Sequence, residues 1–482
     1  MNALYRDLKR LVSFTEEAAK RQKKDGWRLG FHLMPPTGWL NDPNGLCVYG
    51  GEYHIFFQYS PFDAQGGVKM WGHFKGKDML HWEYMGAALY PDQPFDVHGV
   101  YSGSAFVEDG KMYLLYTGNV KQTGRHDYIN SGREHNTVLA VSENGQDFEE
   151  KECLMTNADY PLDTTCHVRD PKVWKEKDTY FMVQGARRKD DRGEILLFSS
   201  KNIRDWKLEN RITTEEPFGY MWECPDYMVV DGQRLLVCCP QGVDKQGILY
   251  QNIYQCGYFK VNRDITEKDE EKAAGLLGEF EELDYGFDFY APQSFQDMDG
   301  RRILIGWVGM PDADYGNATV EKGWQHCLSI PRVLTWKKGR LYQNPVDELQ
   351  GLRGEESTLN IRGEHRFAAS PTFELFLEHI SGEKLEIVLN EHLKYGYDRE
   401  QGLLSLCMEG DEACGRKERF VKIENLENVR ILADTSCLEL FANDGEKVMT
   451  TRFYPASGSR NLTIKGNADM HFWALKDMEI SW

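Results

Sequence analysis

The sequence predicts an all-β chain: a five-bladed β-propeller, then a C-terminal antiparallel β-sandwich, with a short helix ahead of both. Three observations lead there. A Gly- or Asp-based turn followed by a short apolar strand recurs at Gly51, Gly110, Asp178, Gly232 and Gly300. A polar turn closing on an aromatic residue recurs at His81-Trp82, Asp147-Phe148 and Asp205-Trp206. Beyond residue 350 the pattern shifts to brief alternating apolar and polar runs.

At 482 residues the chain exceeds what one hydrophobic core usually covers, so two domains are expected. Residues 1–28 read as a helical extension: Leu4, Leu8, Leu11 and Phe14 recur at helical spacing and predict an amphipathic helix docked on the fold. The segment is charged, including the basic run from Lys20 to Lys24, and has no apolar core of the kind a signal peptide needs, so a cytoplasmic location is predicted.

Residues 29–345 are assigned to the propeller. The strands after the turns include Tyr53 to Tyr59, Met112 to Tyr116, Tyr180 to Gln184, Arg234 to Cys239 and Arg302 to Trp307, each pairing with the segment before its turn as a hairpin. Their recurrence at roughly 60 residues suits a four-stranded blade with variable loops. Residues 346–354 form a connector after Asn344-Pro345, and residues 355–482, with runs such as Leu385 to Leu389 and Leu438 to Phe441, form the sandwich.

Composition narrows the function. With 57 Lys+Arg against 76 Asp+Glu, a net charge of -19 repels nucleic acid and anionic membranes, and no segment approaches membrane-span length. The 11 cysteines lack ligand spacing, which predicts reduced thiols and no metal; no cofactor is expected. The chain is expected to be a monomer or homodimer.

In a propeller the first strand of each blade lines the central channel. Eight or nine positions before each turn stands an unusual polar residue: Asp42, Ser102, Asp170, Glu223 and, in the last blade, the Pro292-Gln293 pair. Asn41-Asp42-Pro43-Asn44-Gly45 alone is a turn sequence. Three carboxylates at matching blade positions point instead to a task, because clustered acids are costly. Asp42 and Asp170 precede a proline, which holds a residue extended. An acid cluster without metal-binding histidines suits glycoside cleavage, one carboxylate attacking the anomeric carbon and another acid protonating the leaving oxygen. Neighbouring anions would keep Glu223 protonated, and Arg169 would hold Asp170 ionised. Trp39, Trp71, Tyr101 and Trp307 offer apolar faces for sugar C–H edges.

Trp39 to Gly45, Phe57 to Pro61, Trp71-Gly72-His73, Tyr101 to Ser104, Arg169-Asp170-Pro171, Glu223-Cys224-Pro225 and Asp288 to Gln293 occur in an order that resembles glycoside hydrolase family 32, the invertases and sucrose-6-phosphate hydrolases. The block Asp434-x-Ser436-x-x-Glu439-x-Phe441 resembles its second domain. The resemblance implies retaining hydrolysis of β-fructofuranosides, with Asp42 as nucleophile, Asp170 as transition-state stabiliser and Glu223 as acid/base. It implies substrate contacts from Asn41, Gln58, Trp71, Tyr101, Ser102, Arg169 and Cys224; Tyr101 stands where the family more often has Phe. Sucrose or its 6-phosphate is the expected substrate, with Arg187-Arg188-Lys189 and Arg192 as one phosphate candidate. A fructo-oligosaccharide hydrolase, a transfructosylase and a non-catalytic sugar-binding propeller are the alternatives.

Overall fold

The computed structural model describes residues 2–21, 25–148, 150–267, 275–456 and 460–482; Met1 and residues 22–24 of the N-terminal extension, with most of its basic run, lie outside these. The fold is a β-propeller followed by a β-sandwich, with one helix in front.

The sheets of the propeller follow one another in chain order. Strands Gly38–Tyr49, Glu52–Ser60, Met70–Gly76 and His81–Leu89 make the first. Val100–Glu108, Thr164–Glu176 and Met221–Val230 each open a further four-stranded sheet. Tyr290–Gln296 opens another, with Arg302–Val308, Arg332–Lys337 and Arg340–Pro345 in order beside it. The ring is fastened from two sides. Trp324–Gln325 pairs in parallel with Gly38–Trp39, and Glu479–Ser481 covers the outer edge strand at His81–Glu83, which blunts an edge that would otherwise invite association. Adjacent sheets meet closely: a Cβ on Gly185 would lie 1.9 Å from the Trp222 carbonyl oxygen, so only glycine fits there.

One irregularity recurs in every strand that opens a sheet. Three residues span what two span on the neighbouring strand between Leu40 and Pro43, Val100 and Gly103, Arg169 and Lys172, Glu223 and Asp226, and Tyr290 and Gln293. Each is a β-bulge, which kinks the strand and re-aims its side chains.

Beyond a short 3₁₀ turn, Asp347–Leu352, the strands form one nine-stranded sheet folded on itself. Phe373–Leu389 lies beside Val429–Ala433 along its first half and beside Leu393–Asp398 along its second, keeping Arg460–Leu475 on its other side throughout. It therefore passes from one layer to the other at the bend near Ser381, and Leu375, Leu377, Ile387, Leu406, Ile431 and Leu440 fill the space between.

The helix Ala3–Lys20 forms, capped by the Asn2 side chain on the Tyr5 N–H, but its docking face differs from the expected one. Leu4, Leu11 and Phe14 are exposed, Phe14 by 73%. Tyr5, Leu8 and Val12 pack on the propeller, followed one turn later by the buried Glu16, whose Oε1 accepts from Tyr84 at 2.6 Å. The carboxylate within that stripe hid it, because periodicity arguments count only apolar residues.

The sandwich is fixed to the propeller by buried charge. Asp434 accepts from the Gly30 and Phe31 N–H groups and lies 2.8 Å from His32 Nδ1, while His32 Nε2 lies 3.1 Å from Glu439. Glu439 also takes Arg332 at 2.6 Å. Burial alone would neutralise His32, but the two carboxylates prevail and push it up to about 10. A histidine raised on folding contributes stability that is complete below its ordinary value near 6.5 and is lost as pH rises through about 10. His32→Leu is expected to destabilise the chain by about 3–5 kcal/mol, because it leaves buried carboxylates uncompensated, and to flatten the fall in melting temperature between neutral pH and about pH 10. Thermal melts across that range check both; an unchanged alkaline slope would count against a charged His32.

Candidate active site

The bulges gather the site. In three sheets the bulged pair is Asp170-Pro171, Cys224-Pro225 or Ala291-Pro292, with the first residue at φ 65°, 47° and 47°. In the first two sheets it is Asn41-Asp42 and Tyr101-Ser102. The three acids thus converge without occupying one equivalent position, contrary to the turn-counting expectation. Asp42 is the second bulged residue, Asp170 the first, and Glu223 the paired residue just before a bulge. Arg169, Glu223 and Tyr290 are the true counterparts, and they meet: Arg169 Nη2 donates to Glu223 Oε1 at 2.6 Å and the Tyr290 hydroxyl to Oε2 at 2.7 Å. Gln293, expected at the channel, donates to the Gly103 carbonyl at 2.7 Å, joining the opening strand of the last sheet to that of the second.

Asp42 is held from two directions. Asn41 Nδ2 donates to its Oδ1 at 2.9 Å, and the Ser102 hydroxyl to its Oδ2 in a short hydrogen bond. Gln58 ties the two donors together, accepting from Asn41 at 2.8 Å and donating to Ser102 Oγ at 2.6 Å. Burial pushes Asp42 above the usual carboxylate range, opposed by the Ser102 and Asn41 hydrogen bonds. Asp170 is pushed up to about 7, chiefly by burial and further by Glu223 and Asp42, although Arg169 and the Cys224 N–H oppose this. The Cys224 sulfur lies 3.7 Å from both Asp42 Oδ2 and Asp170 Oδ2, so the thiol separates the two aspartates.

The expected Arg169–Asp170 pairing is the weaker one, at 3.9 Å; the guanidinium turns to Glu223 because the bulge swings Asp170 aside. Trp71 is fully buried, its indole N–H spent on the Tyr101 carbonyl at 3.0 Å, so it supports Tyr101 from behind. Trp307 is likewise buried behind Trp39, ring centroids 5.8 Å apart. The half-buried Trp39 bonds to Asn41 through its indole N–H.

Gln241 and Lys69, like Tyr290, escaped the sequence reading as site residues. Gln241 donates to Glu223 Oε2 at 2.7 Å; its signal was available, since Cys239 pairs with Glu223 and Gln241 follows on the same face. Lys69 reaches over the Trp39 ring at 4.7 Å from a connecting segment, where no pattern announces it. Burial brings its ammonium down to about 7 even though Asp42 favours the charge.

In the loop Arg187-Arg188-Lys189 with Arg192, the first two are neutralised locally and the other two are tied to the backbone. Arg187 pairs with Asp191 at 2.7 Å and Arg188 with Asp190 at 2.9 Å, while Lys189 and Arg192 bond to the Leu162 and Glu215 carbonyls. Among the described residues, no helix is long and apolar enough to cross a membrane.

Comparison with known proteins agrees with this geometry. Residues 32–345 match the glycosyl hydrolases family 32 N-terminal domain and residues 389–480 the family 32 C-terminal domain. The chain is 38% identical to a sucrose-6-phosphate hydrolase of Bacillus subtilis over 95% of its length and 97% of the relative's. It is 36% identical to a raffinose invertase of Escherichia coli, covering 95% and 96%. A Bombyx mori family 32 β-fructofuranosidase mutant solved with sucrose superposes with a TM-score of 0.85 at 29% identity, covering 99% of each chain. With its acids at the bulged strands and both family domains matched in order, the chain belongs to glycosyl hydrolase family 32.

Proposed function

We propose that the protein hydrolyses terminal β-fructofuranosides, sucrose 6-phosphate and sucrose foremost, with retention at C2. The carrying observation is the contrast between two carboxyl groups: Asp42, fixed by Asn41 and Ser102, and Glu223, set among Arg169, Tyr290 and Gln241. Asp42 attacks C2 of the fructosyl unit while Glu223 passes its proton to the departing glycosidic oxygen. Glu223 then takes a proton from water, whose oxygen attacks C2 and frees Asp42. Arg169 and Tyr290 stabilise the Glu223 carboxylate present between the two steps. Asp170 lies across the Cys224 thiol from Asp42, suited to accept from fructosyl hydroxyls as charge develops at C2. Asn41, Gln58, Tyr101, Ser102, Arg169 and Cys224 shape the fructosyl pocket, with Trp71 behind them.

The architecture proposed for this activity is a five-bladed propeller at 29–345, a linker at 346–354 and a sandwich at 355–482; the bulged strands that open successive sheets support the blade count. A sugar phosphate does not cross a bilayer unaided, so this substrate implies a cytoplasmic enzyme. Steady-state release of fructose from sucrose and from sucrose 6-phosphate tests the reading. Turnover of both is expected, whereas binding without release would favour a sugar-binding propeller.

A further inference from the structure

Linked to Glu223 through His135, His167 and Arg169 lies a cluster of cations that the proposed chemistry does not use. Lys121 and Arg133 pair directly across two neighbouring strands, Lys111–Lys121 and Arg133–Ser142. Like charges facing each other across a ladder are destabilising, and Arg133 also feels the charge of Arg169. On a chain of net charge -19 carboxylates are plentiful, yet the adjacent ones are engaged elsewhere. Glu134 faces the opposite side of the hairpin and accepts from Gln122 at 3.0 Å; Asp127 is committed to the N–H groups of Ile129, Asn130 and Ser131.

Two donors here lack acceptors among the described residues: the buried Arg133 Nε and the fully buried His135 Nδ1. Among the described residues the Arg133 side chain has one hydrogen-bond contact, to His135 Nε2 at 3.5 Å. Buried donors without partners call for an explanation, and an anion supplies one. Contacts run from these groups to the proposed acid. The His135 and His167 rings lie 5.5 Å apart, His167 Nδ1 meets Arg169 Nη1 at 2.6 Å, and Arg169 holds Glu223. Burial beside these arginines pushes His167 down to about 2 and His135 far below its usual range, so both imidazoles stay neutral and donate one N–H each. That of His167 is used on the Tyr128 carbonyl; that of His135 is free.

The group that leaves C2, protonated by Glu223, departs on the face opposite Asp42, and in sucrose 6-phosphate it carries the phosphate. We propose that Arg133, with Lys121 opposite it and His135 behind it, receives the phosphate of a phosphorylated leaving group and sets the preference for sucrose 6-phosphate over sucrose. This deepens the hydrolase reading and rests on it.

The test compares kcat/KM for both sugars in the wild type, Arg133→Gln, Arg133→Lys and, as a control in the neutralised loop, Arg187→Gln. Arg133→Gln should lower the value for sucrose 6-phosphate by roughly 10- to 100-fold, the worth of one charge-assisted contact, and that for sucrose by less than about 3-fold. Arg133→Lys should recover part of the loss, and Arg187→Gln should spare both sugars. Activity on sucrose itself reports that each variant folds. Equal losses on both sugars, no loss on either, or a wild type that cleaves sucrose but not its phosphate would overturn the subsite while leaving the hydrolase intact. A wild type that cleaves neither sugar removes the hydrolase reading and the subsite together.

Discussion

Asp42→Asn is expected to reduce kcat on sucrose by roughly 10⁴-fold or more, the order of effect seen when a covalent nucleophile is removed. The amide keeps the shape of the carboxylate and can still bond to Asn41 and Ser102, so the loss measures the missing nucleophile and not a collapsed pocket. Stability gives an opposite sign. Burial raises Asp42 above its ordinary range, so the ionised form is penalised in the folded state at neutral pH. A neutral amide removes that penalty, and the melting temperature should hold or rise. Activity assays paired with thermal melts check the combination; loss of activity together with a large drop in melting temperature would point to a structural role.

The second large effect belongs to Glu223→Gln, for which a fall of roughly 10²- to 10⁴-fold in kcat is expected, the usual worth of a positioned acid/base. Its signature is dependence on the leaving group. Glu223 supplies a proton in the first step, so an activated fructoside whose leaving group needs none should form the intermediate quickly. The second step then lacks its base, and a burst followed by slow turnover is expected in stopped-flow assays. The same fall for activated and natural substrates, without a burst, would show that Glu223 does not act as the proton donor.

Turns and apolar strands repeat visibly, so the propeller, the sandwich and the three acids were all legible in the sequence. The bulges were not, because side-chain alternation cannot reveal an inserted residue. Counting back from the turns therefore treated Asp170, eight positions ahead, and Glu223, nine ahead, as sharing a position that they do not share. The same shift sends Arg169 to Glu223 and away from Asp170. Lys69 and Arg133 arrive from connecting segments or strand ends, where no periodic pattern marks a side chain as facing the site. The motif from Asp434 to Phe441, read only as a family resemblance, supplies the carboxylates that hold His32 and Arg332 between the domains. The helix stripe failed for a related reason: a buried Glu16 satisfied by Tyr84 looks polar in sequence and acts as part of the packed face.

Retention at C2 requires a covalent fructosyl–Asp42 intermediate. Cleaving sucrose in the presence of methanol captures that intermediate as a methyl fructofuranoside, whose configuration is fixed once formed and can be read by NMR. Two displacements at C2 predict the methyl β-fructofuranoside; the α anomer would contradict the account, because it requires a single displacement without an enzyme ester.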